Sequence, residues 1–308
     1  MLSLIFTLVI SVAVSPVGLA FADEGVTDKK TASLEEIKLS ISPSFTLKDA
    51  DHVINGVALR NRTSGWIPLR GIPIGSTVKQ AFLYYNFSDG SEIGDRKSSV
   101  LFDGNRVDGT KTADNTDPCW SMAGNHTYRA DVTSFIPATN PNGDYEVVID
   151  FNKRTSTTGQ NPWSPGESQT KRLEGATLLI VFCNESTSGK VVLIYDKLTG
   201  SEFSGSAIFN LSHPALSGNG LFSMSGADGQ RGGGHDNGAS NETGTFNGTQ
   251  FSGPPVAASD WDGSAGWPLP QLWDVHTHIV KLDGTCSTVE YTAGGDCLVP
   301  VVFILGNF

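Results

Sequence analysis

The sequence has few charged residues and few cysteines, and these shortages exclude several classes of protein. Only 17% of the 308 residues are charged, and Lys and Arg (21) are outnumbered by Asp and Glu (32), so the net charge is -11. An acidic surface repels nucleic acid and anionic lipid, so we expect no nucleic-acid partner. The four cysteines lack a CxxC pair. The absence of that spacing favours disulfides in an oxidising compartment over the alternative, a zinc site.

Motifs for covalent catalysis are also missing. Gly200–Ser204 matches the nucleophile-elbow pattern only in part, because the second glycine is absent. The glutamates are scattered, and Gly232–Gly234 neither follows a clear strand nor opens a helix, which disfavours a phosphate-binding loop. We therefore assign no catalytic residue and do not expect an enzyme.

Abundant glycine and proline (35 and 15 residues) and short apolar runs predict an all-β fold. Leu178–Cys183 and Val191–Tyr195 flank a polar turn and predict a central hairpin. Neither run alternates cleanly, so we expect both faces to be covered. The predicted architecture is an antiparallel β-sandwich, jelly-roll-like, with long Gly-rich loops.

Three further patterns support strands. In Val78–Phe87, Ala81, Leu83, Tyr85 and Phe87 share one face, while Phe82 and Tyr84 share the other. Asp103-Gly104 is a strong hairpin signal. Leu298–Leu305 predicts a closing strand inside a sheet, and since the chain stops there we expect no C-terminal anchor.

The chain divides into three predicted segments. Residues 1–22 resemble a secretory signal, with an apolar run and the small-x-small triplet Ala20-Phe21-Ala22 before Asp23. The alternative is an uncleaved N-terminal anchor, since the start of the segment lacks Lys and Arg. Residues 23–45 predict a polar, loosely attached arm, and residues 46–308 a single β-sandwich domain. We expect a secreted or cell-surface protein without a membrane span in the mature chain.

Export makes disulfides and glycans relevant. Cys286 and Cys297 flank a probable hairpin, which favours their pairing and leaves Cys119 with Cys183, although four cysteines allow three connectivities. Candidate N-glycosylation sites follow the N-x-[ST] pattern. They are Asn61, Asn86, Asn125, Asn184, Asn210, Asn241 and Asn247.

Four stretches together resemble an uncharacterised family of exported β-sandwich domains in archaeal and bacterial surface proteins. They are Ile74–Tyr85, Tyr128–Thr133, Gly175–Asp196, and Trp273–Thr277 with Gly294–Leu305. The resemblance implies a jelly-roll domain of the kind found in adhesin-like or cell-envelope proteins, and it supplies no catalytic residues. This chain consists of the domain alone, which favours a secreted or self-assembling subunit over a wall-anchored adhesin.

Asp260-Trp261-Asp262-Gly263-Ser264 has the alternating carboxylates and the glycine of a calcium loop. Asp260, Asp262 and Ser264 are therefore candidate ligands of a structural calcium ion, with Asp228 and Asp236 as further contributors. The full EF-hand pattern is absent, and the alternative is an Asx turn in which Asp binds its own backbone. No other cofactor is expected.

Asp274-Val275-His276-Thr277-His278 is the second candidate metal motif. On a strand Asp274, His276 and His278 point to one face, and two such histidines can reach one metal ion. His213 or His235 is a conceivable further ligand for a zinc hydrolase. The alternative is an edge strand with one polar face.

All six tryptophans lie in Pro/Gly-rich or polar stretches. Exposed aromatics beside polar residues suit stacking on sugar rings, which makes Trp261, Trp267 and Trp273 candidate carbohydrate-binding residues. The alternative, which we favour, is that each tryptophan pins a loop onto the sandwich.

We expect a structural or adhesion protein of the cell surface or envelope, whose partners are copies of itself or other envelope components. A polar arm that adds a strand to a neighbour's sheet would provide self-assembly. The alternative function is a carbohydrate-binding module whose partner is a polysaccharide. A zinc-dependent hydrolase ranks third.

Overall fold

A computed structural model describes residues 36–60, 62–117, 122–151, 170–229, 242–251, 260–266, 272–294 and 296–308. The strands are β1 (Ile37–Ile41), β2 (Phe45–Lys48), β3 (Asp51–Ala58), β4 (Ser64–Leu69), β5 (Thr77–Asp89), β6 (Lys97–Phe102), β7 (Asn105–Asp117), β8 (Met122–Asp131), β9 (Gly143–Val148), β10 (Lys171–Cys183), β11 (Val191–Tyr195), β12 (Ser206–Ala227), β13 (Thr243–Phe246), β14 (Thr249–Gln250), β15 (Trp273–Thr292) and β16 (Val299–Asn307). Short 3₁₀ turns occupy Thr133–Phe135, Glu185–Thr187 and Ser264–Gly266. Within the described ranges there is no helix with the length and apolarity needed to cross a bilayer.

The strands form two sheets. The open sheet has the order β14-β13-β15-β12-β16-β11-β2, with β1 paired in parallel beside β12, and its other pairings are antiparallel. The barrel sheet has the order β3-β10-β5-β8-β7-β6-β9-β4. Its two end strands come together, since a Cβ at Gly65 of β4 would lie 2.6 Å from Val57 of β3. The barrel sheet therefore nearly closes on itself.

Three apolar clusters follow from this arrangement. One fills the barrel interior with alternate residues such as Leu83 and Leu178. A second lies between the sheets, where Phe82 and Leu179 meet Ile304 of the open sheet. A third covers the far face of the open sheet around Phe222 and Tyr291. The predicted all-β, antiparallel, sandwich-like class is confirmed, and the near closure of one sheet into a barrel was not predicted.

Several local predictions are confirmed. Ala81, Leu83, Tyr85 and Phe87 all line the barrel interior, while Phe82 and Tyr84 face the open sheet. Asp103 and Gly104 have φ values of 46° and 73° and connect β6 to β7 as a hairpin turn. β16 lies inside the open sheet between β12 and β11.

The predicted central hairpin is wrong in its pairing. β10 pairs with β3 and β5 of the barrel sheet, whereas β11 pairs with β16 and β2 of the open sheet. The turn between β10 and β11 therefore carries the chain from one sheet to the other. The prediction that both faces are covered holds, because Leu178 and Leu179 of β10 are buried in different clusters.

A strand lies within the segment that the sequence predicts as an N-terminal arm. β1 lies inside the predicted arm of residues 23–45, and its apolar residues Ile37, Leu39 and Ile41 pack against the third cluster. These alternate residues face the sheet as in any half-buried strand. The predicted signal at 1–22 and the remainder of the arm up to residue 35 lie outside the described residues.

Both predicted disulfide pairs are wrong, because Cys183 and Cys286 are free thiols. Cys286 lies within β15 opposite Ser212, and six further residues of extended strand, about 20 Å, separate it from the strand's end. Cys297 follows that end by five residues, and its neighbour Leu298 pairs with Phe203 rather than with the region of Ser212. Cys297 is disulfide-bonded, to neither of these two residues. Cys119 lies outside the described residues.

Two of the predicted glycosylation sites are inaccessible. Asn86 and Asn125 are fully buried and exchange reciprocal amide hydrogen bonds of 2.6 and 2.9 Å. Asn247 is exposed in a tight turn, and Asn184 and Asn210 are partly exposed. These three stay candidates, and Asn61 and Asn241 lie outside the described residues.

His52 is a buried histidine whose charged form is disfavoured. It is buried between the sheets, where its Nε2 lies 2.8 Å from Ser223 Oγ. Burial lowers the pKa of His52 to about 4, although the charge of Asp51 opposes this shift. Because the unfolded chain binds this proton more readily, stability present above pH 6.5 is lost as the pH falls towards 4.

We expect His52→Gln to flatten this dependence while keeping a polar partner for Ser223. Between pH 7 and pH 4.5 the free energy of unfolding of the wild type should fall further than that of the variant, by about 2 kcal/mol. Urea titrations of both proteins at each pH measure the difference between their free energies of unfolding. The other titrating groups are common to both proteins, so their contributions cancel in this difference. Parallel pH profiles would contradict the assignment.

Candidate metal centre

The two candidate metal motifs of the sequence meet in one buried cluster. Residues 260–266 lie against the start of β15, which presents Asp274, His276 and His278 on one face, as the strand alternation predicts. His276 Nε2 lies 3.1 Å from Asp262 Oδ1, and His278 Nε2 lies 2.5 Å from Asp260 Oδ1. The sequence identified each motif, and the structure brings them together.

The cluster is enclosed. Asp260, Asp262 and Asp274 are 0% exposed, and His276 and His278 are 5% and 9% exposed. Phe251 stacks on His278 with ring centroids 4.4 Å apart. The cluster is therefore shielded from bulk water.

Hydrogen bonds fix the orientation of part of the cluster. The hydroxyl of Tyr291 donates to Asp260 Oδ2 at 2.8 Å, and the amide of Gly263 donates to Asp274 Oδ1 at 2.6 Å. Ser264 Oγ lies 3.1 Å from His276 Nε2. Asp262 Oδ2 and Asp274 Oδ2 are buried and have no hydrogen-bond partner. Unpaired buried carboxylate oxygens are costly, so these two atoms require an explanation.

Burial dominates the electrostatics of the cluster. Burial, followed by the charge of Asp262, raises the pKa of Asp274 well above its usual range, although hydrogen bonding from the backbone amides of Gly263, Ser264 and Asp262 opposes this shift. For His276 burial disfavours the charged form, but the hydrogen bond with Asp262 and the charges of Asp260 and Asp262 raise the pKa above its ordinary value. Burial and the charge of Asp260 raise the pKa of Tyr291, so its hydroxyl stays protonated and donates.

Two sets of three donors lie close enough together to hold a metal ion. One comprises Asp260, His276 and His278, and the other comprises Asp262, Asp274 and His276, and in each set the donor atoms lie within 4.8 Å of one another. Zinc and related ions bind imidazole nitrogen together with carboxylate oxygen. The predicted ligands from both motifs, including the Ser264 hydroxyl, therefore surround one region rather than two.

Other predicted contributors lie elsewhere. His213 contacts Ser287 Oγ at 3.0 Å and its own neighbour Pro214, away from the cluster. Asp228 lies 3.3 Å from Arg60 in a separate buried ion pair. His235 and Asp236 lie outside the described residues.

The predicted sugar-stacking role is contradicted for two of its three tryptophans. Trp261 and Trp273 are 0% exposed, with Trp261 in the third cluster and Trp273 between the sheets. They pin the chain onto the sandwich, which is the alternative that the sequence favoured. Trp267 lies outside the described residues.

Sequence reasoning missed three buried polar networks. Arg60 binds both carboxylate oxygens of Glu174, and Asp196 accepts from Tyr84 and Arg129. Between β5, β7 and β8 the ring of His126 lies between two carboxylates. Those carboxylates belong to Asp89 and Asp114, and each also binds a lysine, Lys171 and Lys111 respectively. One available signal was Asn86 and Ser88, which continue the buried face of Phe82 and Tyr84 with polar side chains.

Comparisons with known proteins do not identify the chain. No family model matches it, and no curated protein matches it. A chain of the 3.5 Å cryo-EM structure of the Sputnik virophage is 8% identical, covers 92% of this chain and 89% of its own length, and has a TM-score of 0.18. A score that low carries no argument about function. The resemblance to exported surface domains therefore stays a proposal.

Proposed function

We propose that this protein is an exported structural or adhesion component of a cell surface or envelope. It acts through its surfaces, and its partners are copies of itself or other envelope components. The signal-like segment at 1–22, the net charge of -11 and the resemblance to exported surface domains support export. Asn184, Asn210 and Asn247 remain accessible as glycan sites.

The observation that carries this proposal is the contrast between the two sheets. The barrel sheet nearly closes, while the path of the open sheet ends at β2 and β14, and β1 has a single strand partner among the described residues. Edge strands present unpaired backbone groups that a strand from another chain can bind. Sheet edges of this kind suit association between copies.

β1 is the element best suited to exchange. It is five residues long, joins β2 through Ser42–Ser44, and pairs in parallel with residues 207–211 of β12. Ile37, Leu39 and Ile41 anchor it to the third cluster. The same contacts would hold β1 of a second copy in the same position, with the chain crossing over at Pro43.

The enclosed Asp/His cluster favours this function over a hydrolase. A catalytic metal site keeps one coordination position open to water and substrate. Asp260, Asp262 and Asp274 are completely buried and the histidines nearly so. Burial suits a structural role in holding the chain together.

Matched truncations test self-association. We expect the chain from residue 23 to form concentration-dependent oligomers, measured by light scattering and electron microscopy with and without calcium. Removing residues 23–35 keeps β1 and should preserve association, whereas removing residues 23–41 deletes β1 and should abolish it. Circular dichroism verifies that each truncation remains folded.

A peptide of residues 36–43 should inhibit association by occupying the edge of β12, and a scrambled peptide should not. A folded monomer at every concentration would contradict self-association. Such a monomer, if it bound polysaccharide, would favour a carbohydrate-binding module that uses surfaces other than Trp261 and Trp273.

A further inference from the structure

We propose that Asp262, Asp274 and His276 hold one divalent transition-metal ion of the zinc class, with the Asp260–His278 pair beside it. This site is independent of the proposed function, since a stabilising metal serves any exported β-sandwich. The inference rests on unpaired donor atoms, on the local charge and on the kinds of ligand present.

The first argument is the pair of unpaired oxygens. Asp260 is satisfied by Tyr291 and His278, and Asp274 Oδ1 by the amide of Gly263. Asp262 Oδ2 and Asp274 Oδ2 remain without partners although both side chains are 0% exposed. Both residues belong to one donor set with His276. A cation bound by this set satisfies both oxygens together.

Gly229 provides a second, steric argument. A Cβ at this position would lie 2.0 Å from Asp274 Oδ2 and 2.8 Å from its Cγ. Any larger residue would therefore displace the carboxylate. The absence of a side chain at Gly229 leaves room for Asp274 Oδ2, the oxygen that lacks a hydrogen bond. A ligand atom needs such room.

The third argument is charge. Three carboxylates lie within the cluster, and their basic neighbours among the described residues are His276 and His278, which carry a charge only when protonated. Other buried carboxylates of the chain are paired differently, since Glu174 binds Arg60 and Asp196 binds Arg129. Buried charge is costly unless a counter-ion is present. A divalent cation bound by these carboxylates would offset that cost.

The donor types select the metal. Calcium prefers six to eight oxygen ligands, whereas zinc and neighbouring transition metals readily take imidazole nitrogen. His276 is common to both donor sets, so every arrangement of ligands here includes a nitrogen. Ligands about 2.0–2.2 Å from zinc lie about 3–3.5 Å apart in a tetrahedron, which small rotations of side chains already within 4.8 Å achieve.

The bound ion would act as a cross-link. Asp262 belongs to the segment 260–266, and Asp274 and His276 belong to β15. One ion would therefore join the segment 260–266 to the open sheet. The amide of Gly263, which donates to Asp274, lies at this junction. Its hydrogen exchange reports directly on whether the junction is locked.

The experiment compares wild type with His276→Gln and with His213→Gln as a matched control. His213 is also a buried histidine, but it contacts Ser287 outside the cluster. Purified proteins are stripped with a chelator and titrated with Zn²⁺, Co²⁺ and Ca²⁺ by calorimetry. Thermal unfolding and hydrogen exchange of residues 260–266 are measured with and without metal. The absorption spectrum of the Co²⁺ complex reports nitrogen and oxygen coordination.

We expect wild type and His213→Gln to bind about one zinc ion per chain, with a higher thermal midpoint and slower exchange at Gly263. His276→Gln should bind zinc at least about 100-fold more weakly and show neither change. Should His276→Gln fail to fold, Gly229→Ala provides the second variant, because it keeps every ligand while displacing Asp274. The proposal is overturned if wild type binds no transition metal, if it binds Ca²⁺ alone, or if zinc binding persists in both variants.

Discussion

Arg60→Met is expected to destabilise the fold by about 3–5 kcal/mol, because it leaves Glu174 buried without its counter-ion. Arg60 Nη2 donates to Glu174 Oε1 and Oε2 at 2.6 and 2.5 Å, and both side chains are at most 2% exposed. Burial raises the pKa of Glu174 to about 7 even though the charge of Arg60 lowers it. Without this guanidinium the buried carboxyl must either take a proton or remain charged with only the charge of Arg172 to favour that form.

The matched control is Arg70→Met. Arg70 also binds a carboxylate, that of Asp144, at 2.5 Å, but the two side chains are 56% and 55% exposed. An ion pair in water contributes little, so this variant should lose less than about 1 kcal/mol. Denaturant unfolding of both variants measures the contrast. Glu174→Gln added to Arg60→Met should recover part of the loss, since an uncharged amide is cheaper to bury.

Equal, small losses in Arg60→Met and Arg70→Met would contradict this account of the buried pair. Such a result would mean that water reaches Glu174 and that the ion pair is screened. The comparison therefore measures how far water reaches Glu174 of β10, independently of any assumption about function.

Strands with a regular pattern were the predictable part of the fold. Alternation in Val78–Phe87 assigned both faces of β5 correctly, because side chains of a strand point to opposite sides whatever its partner is. The turn at Asp103-Gly104 was equally local, since those two residues favour the positive φ values it requires. Such features depend on neighbours in the sequence alone.

Strand pairing was less predictable. Val191–Tyr195 follows Leu178–Cys183 closely in the sequence, yet β11 belongs to the open sheet. Its apolar pattern fits a strand with two covered faces in either sheet, so the sequence did not show which sheet it joins. For the same reason the sequence could not place Cys286 in the middle of a long strand. Pairing depends on contacts between distant residues, and a single sequence does not reveal them.

The candidate site was half predictable. Asp260, Asp262, Asp274, His276 and His278 were all identified from their spacing, because ligand types at alternate positions form a local signal. Their meeting in one cluster depends on how residues 260–266 pack on β15, and their Gly-rich surroundings carry no periodicity from which to infer it. Asn86 and Asn125 show the opposite error, since a matching N-x-[ST] triplet says nothing about burial.

Trp273→Ala is expected to lower the free energy of unfolding by about 3–5 kcal/mol, because it removes the largest of the described side chains in the cluster between the two sheets. Trp273 is 0% exposed, and its Nε1 donates to Thr177 Oγ1 of β10 at 3.0 Å. Two glycines of the barrel sheet make room for the indole. A Cβ at Gly175 would lie 2.3 Å from Trp273 Cδ2, and one at Gly56 would lie 2.9 Å from Nε1.

The matched control is Trp66→Ala, because Trp66 lies on β4 and is 58% exposed. We expect this variant to lose less than about 1 kcal/mol, as is usual for surface substitutions. Gly175→Ala should destabilise by about 1–3 kcal/mol through overpacking against the indole. In the Trp273→Ala background the same change should cost much less, because the atoms that it would meet are gone. Additive losses in this double-mutant cycle would contradict the contact between Gly175 and Trp273.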